Sequence, residues 1–274
     1  MAMTGTGTSA DPFVPTNWGE LKTACATANA YISLPANGSW DMNEQYPTGV
    51  PAITSNGTAH ISGNGFTIDN LYAENIIVFS GTFAISNLDV PSMKLKGSSF
   101  LAPADSNSTF ENVRLSGELN DSMVCYTANV NRTIKFRRCS MNYNLVGNAK
   151  MCVTGNYMPN MEFTHSHIEL KGTTSHSSPC YIKLGMNSKL SGNLTSTNNG
   201  QVYLSENSTD SVVDIGLSGF TTVTGYNPYR YPIVVNASKV GTATVYANFI
   251  SATAEQMKDA DWLSEHGFPA YSAP

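Results

Sequence analysis

Thr109-Phe-Glu-Asn-Val-Arg-Leu115, Lys135-Phe-Arg-Arg-Cys-Ser-Met141 and Glu162-Phe-Thr-His-Ser-His-Ile168 are three copies of one short pattern, an aromatic lead and an apolar close around a polar centre. Working outward, Thr82-Phe-Ala-Ile-Ser-Asn-Leu88 precedes them. Lys189-Leu-Ser-Gly-Asn-Leu194 and Asp214-Ile-Gly-Leu-Ser-Gly-Phe220 follow. The leads Phe83, Phe110, Phe136, Phe163, Leu190 and Ile215 are spaced 27, 26, 27, 27 and 25 residues apart. Gly65-Phe-Thr-Ile-Asp-Asn-Leu71 starts a similar copy whose Phe66 lies 17 residues before Phe83, which predicts a short first rung. A fixed period of this length marks a repeat architecture.

A second set of segments travels about eleven residues ahead of three leads: Val124–Thr127, Met151–Thr154 and Cys180–Lys183. All alternate apolar with polar residues, the period of a strand with one buried face. One such rung cannot bury its apolar face, whereas stacked rungs make a continuous core. The fold expected is all-β, a right-handed parallel β-helix with ~26-residue rungs. Stacking places the six leads in one inward ladder, Val113, Cys139 and Ser166 in a second, and Leu115, Met141 and Ile168 in a third. Cys125 and Cys152 become stacked neighbours. Solenoid ends expose strand edges and need covers. Asn17-Trp-Gly-Glu20 reads as a capping box opening a helix to about Ala28, with Trp18, Leu21, Ala24 and Cys25 on its apolar side. Thr253-Ala-Glu-Gln256 opens a second helix to His266, stopped by Gly267. The organisation expected is thus an N-terminal segment 1–16, a capping helix 17–30, the solenoid 31–252, and a C-terminal helix and tail 253–274.

Composition agrees. Only 13% of residues are charged, against ~25% in ordinary soluble proteins, while 41% are hydrophobic. Asn, Ser, Thr and Gly make up most of the polar remainder, a surface suited to stacked strands and tight turns. The net charge of −5 and the lack of a basic cluster beyond Arg137–Arg138 argue against nucleic acid. The opening has no basic and apolar signal regions, and no run approaches a membrane span. Synthesis in a cytoplasm without conventional export is therefore expected. Five cysteines without a Cys-x-x-Cys pair read as buried free thiols, not as a zinc or disulfide framework. Sequons such as Asn56-Gly-Thr and Asn193-Leu-Thr are what so Asn- and Thr-rich a chain contains by chance.

Chemistry is sparse. Glycoside cleavage needs two carboxylates about 5–9.5 Å apart, which adjacent rungs could supply. The outward columns that align, Ser116/Asn142/Glu169 and Arg114/Ser140/His167, hold no two acids. His167 and Glu169 share a strand face and are the one candidate acid/base pair or half metal site; a solvated face is the preferred reading. No P-loop, Gly-x-Ser-x-Gly or His-Glu-x-x-His motif occurs, and neither a metal nor a cofactor is expected. Gly225-Tyr-Asn-Pro-Tyr-Arg-Tyr-Pro232 has the composition of a binding surface, with Tyr226, Tyr229, Arg230 and Tyr231 as candidate contacts.

Three segments carry a resemblance. Thr4-Gly-Thr-Gly-Thr-Ser-Ala-Asp-Pro-Phe13 with Asn17-Trp-Gly-Glu-Leu21 looks like the start of β-helical bacteriophage virion proteins; similar openings begin bacterial surface modules. Ile61-Ser-Gly-Asn-Gly-Phe-Thr-Ile68 is similar to the first coil of pectate-lyase-like β-helices, although the catalytic motifs of pectate lyases and polygalacturonases are absent. Glu255-Gln-Met-Lys-Asp-Ala-Asp-Trp-Leu263 with Gly267-Phe-Pro269 resembles C-terminal segments of phage structural proteins. The resemblance implies a non-enzymatic virion component: a capsid decoration, a head fibre or a tail-associated protein. Its partners would be other virion proteins, further copies of the chain in a homotrimer, and a host-surface glycan. Thr4, Gly5, Asp11 and Phe13 stand in the segment assigned to anchoring on the particle. The alternatives are a tailspike-like protein that binds or degrades glycans and, less favoured, a bacterial surface module.

Overall fold

The computed structural model describes residues 3–104, 107–124, 133–152, 160–177, 179–205, 212–226, 234–235, 244–247, 250–252, 256 and 259–266. Its strands pair almost entirely in parallel, each with a strand one rung earlier and one rung later. The chain is a mostly β parallel solenoid with rungs of ~24 residues and little helix. The ~26-residue period holds from Thr109 to Glu162. It then shortens, because Cys180–Leu184 is one strand that runs on to the first face, where Lys183 pairs with Glu162.

Three faces surround the core. On the first, Ile85, Phe110, Phe136, Phe163 and Leu184 stack in register. On the second, Val90, Leu115, Met141, Ile168, Leu190 and Val213 do so. On the third, Ile53, Phe79, Leu101, Val124 and Cys152 follow one another. The expected ladders through Val113, Cys139 and Ser166 and through Leu115, Met141 and Ile168 both occur, and all six residues are buried.

The ladder of leads needs correction at both ends. Phe83 pairs with Ala59, and Ile85 stands beneath Phe110. Leu184 follows Phe163, Leu190 continues from Ile168, and Ile215 lies over Gly192. The cause is the turn between the first and second faces, where Asn87, Asn112, Arg138 and His165 adopt left-handed backbone. Register is counted from that turn. Ile85, Phe110, Phe136 and Phe163 each lie two residues before it, Phe83 four before, and Leu190 three after Asn187. Phe66 likewise lies past Asn64 on the second face, paired with Leu88, so its 17-residue distance to Phe83 is not a rung length. Cys152 pairs with Val124 and not with Cys125, which lies outside the described residues.

The N-terminal cover forms largely as its sequence dictates. Helix α1 spans Trp18–Cys25, three residues shorter than expected, with Trp18, Leu21, Ala24 and Cys25 buried. Asn17 Oδ1 accepts from the Glu20 backbone N–H at 3.0 Å. The Glu20 carboxylate does not close the box on Asn17. It accepts from Thr16 N (2.7 Å) and from Met3 N (3.0 Å), tying the preceding segment to the helix. A one-turn helix α2, Met42–Gln45, supplies the Gln45 side-chain oxygen to Trp18 N–H. At the other end helix α3 spans only Ala260–Glu265. Its N-cap is Asp259, whose carboxylate accepts from Asp261 N and Trp262 N; Thr253 and Gly267 lie outside the described residues.

Two expectations follow. Hydrogen bonds from Thr16, first its backbone N–H, and from Met3 hold the Glu20 carboxyl below its ordinary 4.5. A depressed carboxyl stabilises fully above its unfolded value and loses that contribution as pH falls through the folded one. Acid titration of Trp18 fluorescence should therefore show a component below the ordinary glutamate range that Glu20→Gln lacks; identical curves would refute the link. Burial pushes the Cys25, Cys139 and Cys180 thiols up to about 12, 11 and 12. The thiolate is the reactive form. In the native protein these three should resist iodoacetamide near pH 8 and label only after unfolding, as read by peptide mass spectrometry.

Candidate functional site

The turn that sets the register also forms a ridge along the solenoid. Asn37, Asn64, Asn87, Asn112, Arg138, His165 and Asn187 all have φ between 51° and 54°. Among non-glycine residues Asn tolerates this region best, since its short amide can bond locally. The Asn112 amide donates to Asn87 Oδ1 at 2.8 Å. Asn64 Nδ2 donates to Ser33 Oγ and to the Leu34 carbonyl. Sequence reading missed this ridge: Asn112, Arg138 and His165 hold the fourth position of their quoted copies, Asn87 holds the sixth of its own, and the four share no side-chain chemistry.

Recesses flank the ridge. On the second-face side a recess of about 440 Å³ is lined by Asn37, Asn64, Asn87, Asn112, Asp89 and Arg114. Asp89 and Arg114 close a 2.5 Å ion pair across one rung. On the first-face side a groove of about 370 Å³ runs past Tyr31, His60, Ser33, Ser62 and Ser86 to Glu111, with Tyr31 and His60 stacked at 4.4 Å. Glu111 also opens a third recess, of about 330 Å³, shared with Arg137, Arg138, Glu162, Thr164 and His165.

The candidate residues fall in three places. His167 and Glu169 share an outward face but turn to opposite rungs. His167 Nε2 lies 2.6 Å from Ser191 Oγ, whereas Glu169 accepts from the Asn142 amide at 2.7 Å. They form two cross-rung bonds and not one acid/base pair. Tyr226 ends the strand Val212–Tyr226, its backbone in register with Ser205; Tyr229, Arg230 and Tyr231 lie outside the described residues.

Thr4, Gly5, Asp11 and Phe13 belong to a folded clasp. Thr4 bridges Val14, Phe13 bridges Ile32, and the Asp11 carbonyl accepts from the N–H groups of Thr6, Gly7 and Thr8. The segment was expected outside the coil; it is hydrogen-bonded to the first rung, with Phe13 packed against the core. The side chains of Thr6, Thr8, Ser9 and Asp11 lie on its exposed surface.

The expected lack of paired acids also needs correction. The Glu169 column continues through Ser191 to Asp214, two rungs away. Asp41 and Asp69 pair directly on adjacent rungs, where strands stack ~4.8 Å apart. Both carboxylates are engaged. Asp41 caps α2 at Asn43 N and accepts from the Asn70 amide; Asp69 accepts from Asn70 N and the Ser92 hydroxyl. Asn70 thus separates two like charges that would otherwise repel. Among the described residues no three His, Cys, Asp or Glu side chains converge as a metal set, and no helix is long and apolar enough to cross a membrane. No protein-family model matches the chain, and neither a curated protein nor a solved structure shows significant similarity to it. The chain is a parallel β-solenoid, and its geometry alone must carry any functional reading.

Proposed function

We propose that the chain is a non-enzymatic structural protein of a bacteriophage virion, decorating the capsid or forming a head or tail fibre, with binding to the host surface as a further task. The observation that carries this reading is the finish of the N-terminal end. A clasp and a helix close the solenoid there and present Thr6, Thr8, Ser9 and Asp11 as a compact polar plate. Such an end suits docking on a larger particle, with the solenoid projecting. The sides suit lateral packing, because hydroxyls, amides and ion pairs bonded across rungs leave little net charge to desolvate. A homotrimer follows as the assembly, since closed rotational symmetry lets one face satisfy every copy. Tyr226, Tyr229, Arg230 and Tyr231 are placed at a subunit contact or the distal tip.

Immunogold labelling of particles released by cells that carry the gene tests the location; label confined to the soluble fraction would sink it. Ser9→Lys with Asp11→Lys keeps the bonds made by the Thr8 hydroxyl and the Asp11 carbonyl within the clasp and should weaken attachment. Light scattering tests the assembly, and a strict monomer at high concentration removes the trimer.

A second reading, a tailspike-like glycan depolymerase, is favoured by the in-register Asp41 and Asp69. It requires release of reducing ends or unsaturated sugars from host-surface polysaccharide, abolished by Asp41→Asn with Asp69→Asn, or by His167→Ala or Glu169→Gln. The structural reading expects no release at all.

A further inference from the structure

Among the described residues, five of the seven left-handed ridge positions are Asn; the two that break the row, Arg138 and His165, are consecutive. Arg138 does not relieve left-handed backbone as an amide does and is less stable in its slot than Asn would be; His165 tolerates the region but cannot continue the amide row. An amide row broken at two adjacent rungs, with strain kept at Arg138, where Asn fills the five other described positions, points to side chains needed for something other than the turn. Both line the same recess, of about 330 Å³, together with Glu111, Arg137, Glu162 and Thr164.

The free binding capacity of that recess is of one kind. Glu111 faces Arg138 at 3.6 Å. Glu162 stands beside Lys135 in the ladder and is itself engaged. The Arg137 guanidinium and the His165 ring, by contrast, have no hydrogen-bond or ion-pair partner among the described residues. The backbone beneath them is fixed: Arg138 N–H donates to Thr164 O at 2.9 Å and His165 N–H to Met186 O at 2.7 Å. Two guanidinium forks, an imidazole and the Thr164 hydroxyl therefore border one recess, in which, among the described residues, Glu111 is held only by the long contact to Arg138. We propose that this recess binds an oxyanion group, a carboxylate or a phosphate, through Arg137, Arg138 and His165. A guanidinium fork matches two oxygens of such a group in its own plane. Arg138 exchanges its long contact with Glu111 for a shorter one with the ligand.

The recess exceeds a bare ion, so the oxyanion belongs to a larger polar ligand. Glu111 is shared with the groove past Ser86, Ser62 and Ser33. That groove follows the solenoid axis with one hydroxyl per rung, and it gives the rest of such a ligand a hydrogen-bonding track. The proposal does not depend on virion attachment.

Isothermal titration of the intact protein with glucuronate, and separately with inorganic phosphate, tests it. Saturable binding in the millimolar range is expected. Glucuronate alone identifies a carboxylate ligand, phosphate alone a phosphate, and binding of both a site for either. Arg137→Gln should weaken binding at least tenfold. Arg138→Asn with His165→Asn restores the amide row, so its melting temperature should hold or rise while affinity falls at least tenfold. Failure of the wild type to bind either probe overturns the proposal. So does a double variant that keeps full affinity.

Discussion

Replacing Phe136 with Ala is expected to lower the unfolding free energy by about 3–5 kcal/mol, the range for truncating a large aromatic in a core that cannot collapse around the gap. Phe136 is fully buried. Its ring stacks on Phe110 with centroids 4.9 Å apart and on Phe163 at 4.8 Å, with interplanar angles of 18° and 13°. Both contacts join separate rungs, and a solenoid derives stability from interfaces between neighbouring repeats. The substitution thus weakens two interfaces at once, and backbone pairing at ~4.8 Å prevents the rungs from closing the void. Since whole domains are stable by only ~5–15 kcal/mol, the loss should be plain in urea unfolding. Lys135→Ala, on the same strand but facing solvent, should stay within about 0.5 kcal/mol. A Phe136→Ala loss below about 1 kcal/mol would mean that the rings do not share a packed ladder.

The same ladder shows what sequence could and could not give. Phe110, Phe136 and Phe163 were legible because three successive rungs keep nearly equal length and the same residue type at one position. Phe83 and Leu190 were misplaced because alternation alone permits an apolar residue on either side of the turn, and only the left-handed slot fixes the count. Asn87, Asn112, Arg138 and His165 share a backbone conformation that no common side-chain chemistry announces. The outward columns through His167 and Glu169 were read correctly, yet which rung each side chain turns to depends on rotamers and on Ser191 and Asn142. Asp41 and Asp69 escaped notice because they lie before the regular copies begin, where consecutive rungs differ in length. The helix α1 was legible from local capping chemistry. The clasp was not, because it relies on left-handed glycines and on pairing with Tyr31–Ser33, well ahead in the chain.

Gly5→Val with Gly7→Val is expected to turn a well-behaved protein into a self-associating one. Gly5 and Gly7 have φ of 88° and 78°, a region in which a β-branched residue is an outlier. A Cβ on Gly5 would fall on the Pro12 carbonyl oxygen, and one on Gly7 on the Phe13 ring. The clasp has no slack for either, so it should detach. With it go three backbone bonds to the first rung: Phe13 N to Tyr31 O (2.9 Å), Tyr31 N to Gly7 O (2.9 Å) and Ser33 N to Phe13 O (2.8 Å). Their direct loss costs a few kcal/mol at ~0.5–1.5 kcal/mol each. Exposure of the edge matters more. An uncovered solenoid end offers free N–H and C=O groups to any strand, including the same edge of another copy. The remaining rungs keep their own neighbours, so the far-ultraviolet dichroism of the β-structure should persist while size-exclusion light scattering shows growth beyond the parent's assembly state. Glu20→Gln loosens the same clasp only through its hydrogen bonds to Met3 and Thr16 and should show a milder form of the same behaviour. A Gly5→Val, Gly7→Val protein with unchanged size and melting temperature would show that the clasp does not protect the edge. Helix α1, which the substitutions leave intact, would then be the sufficient cover.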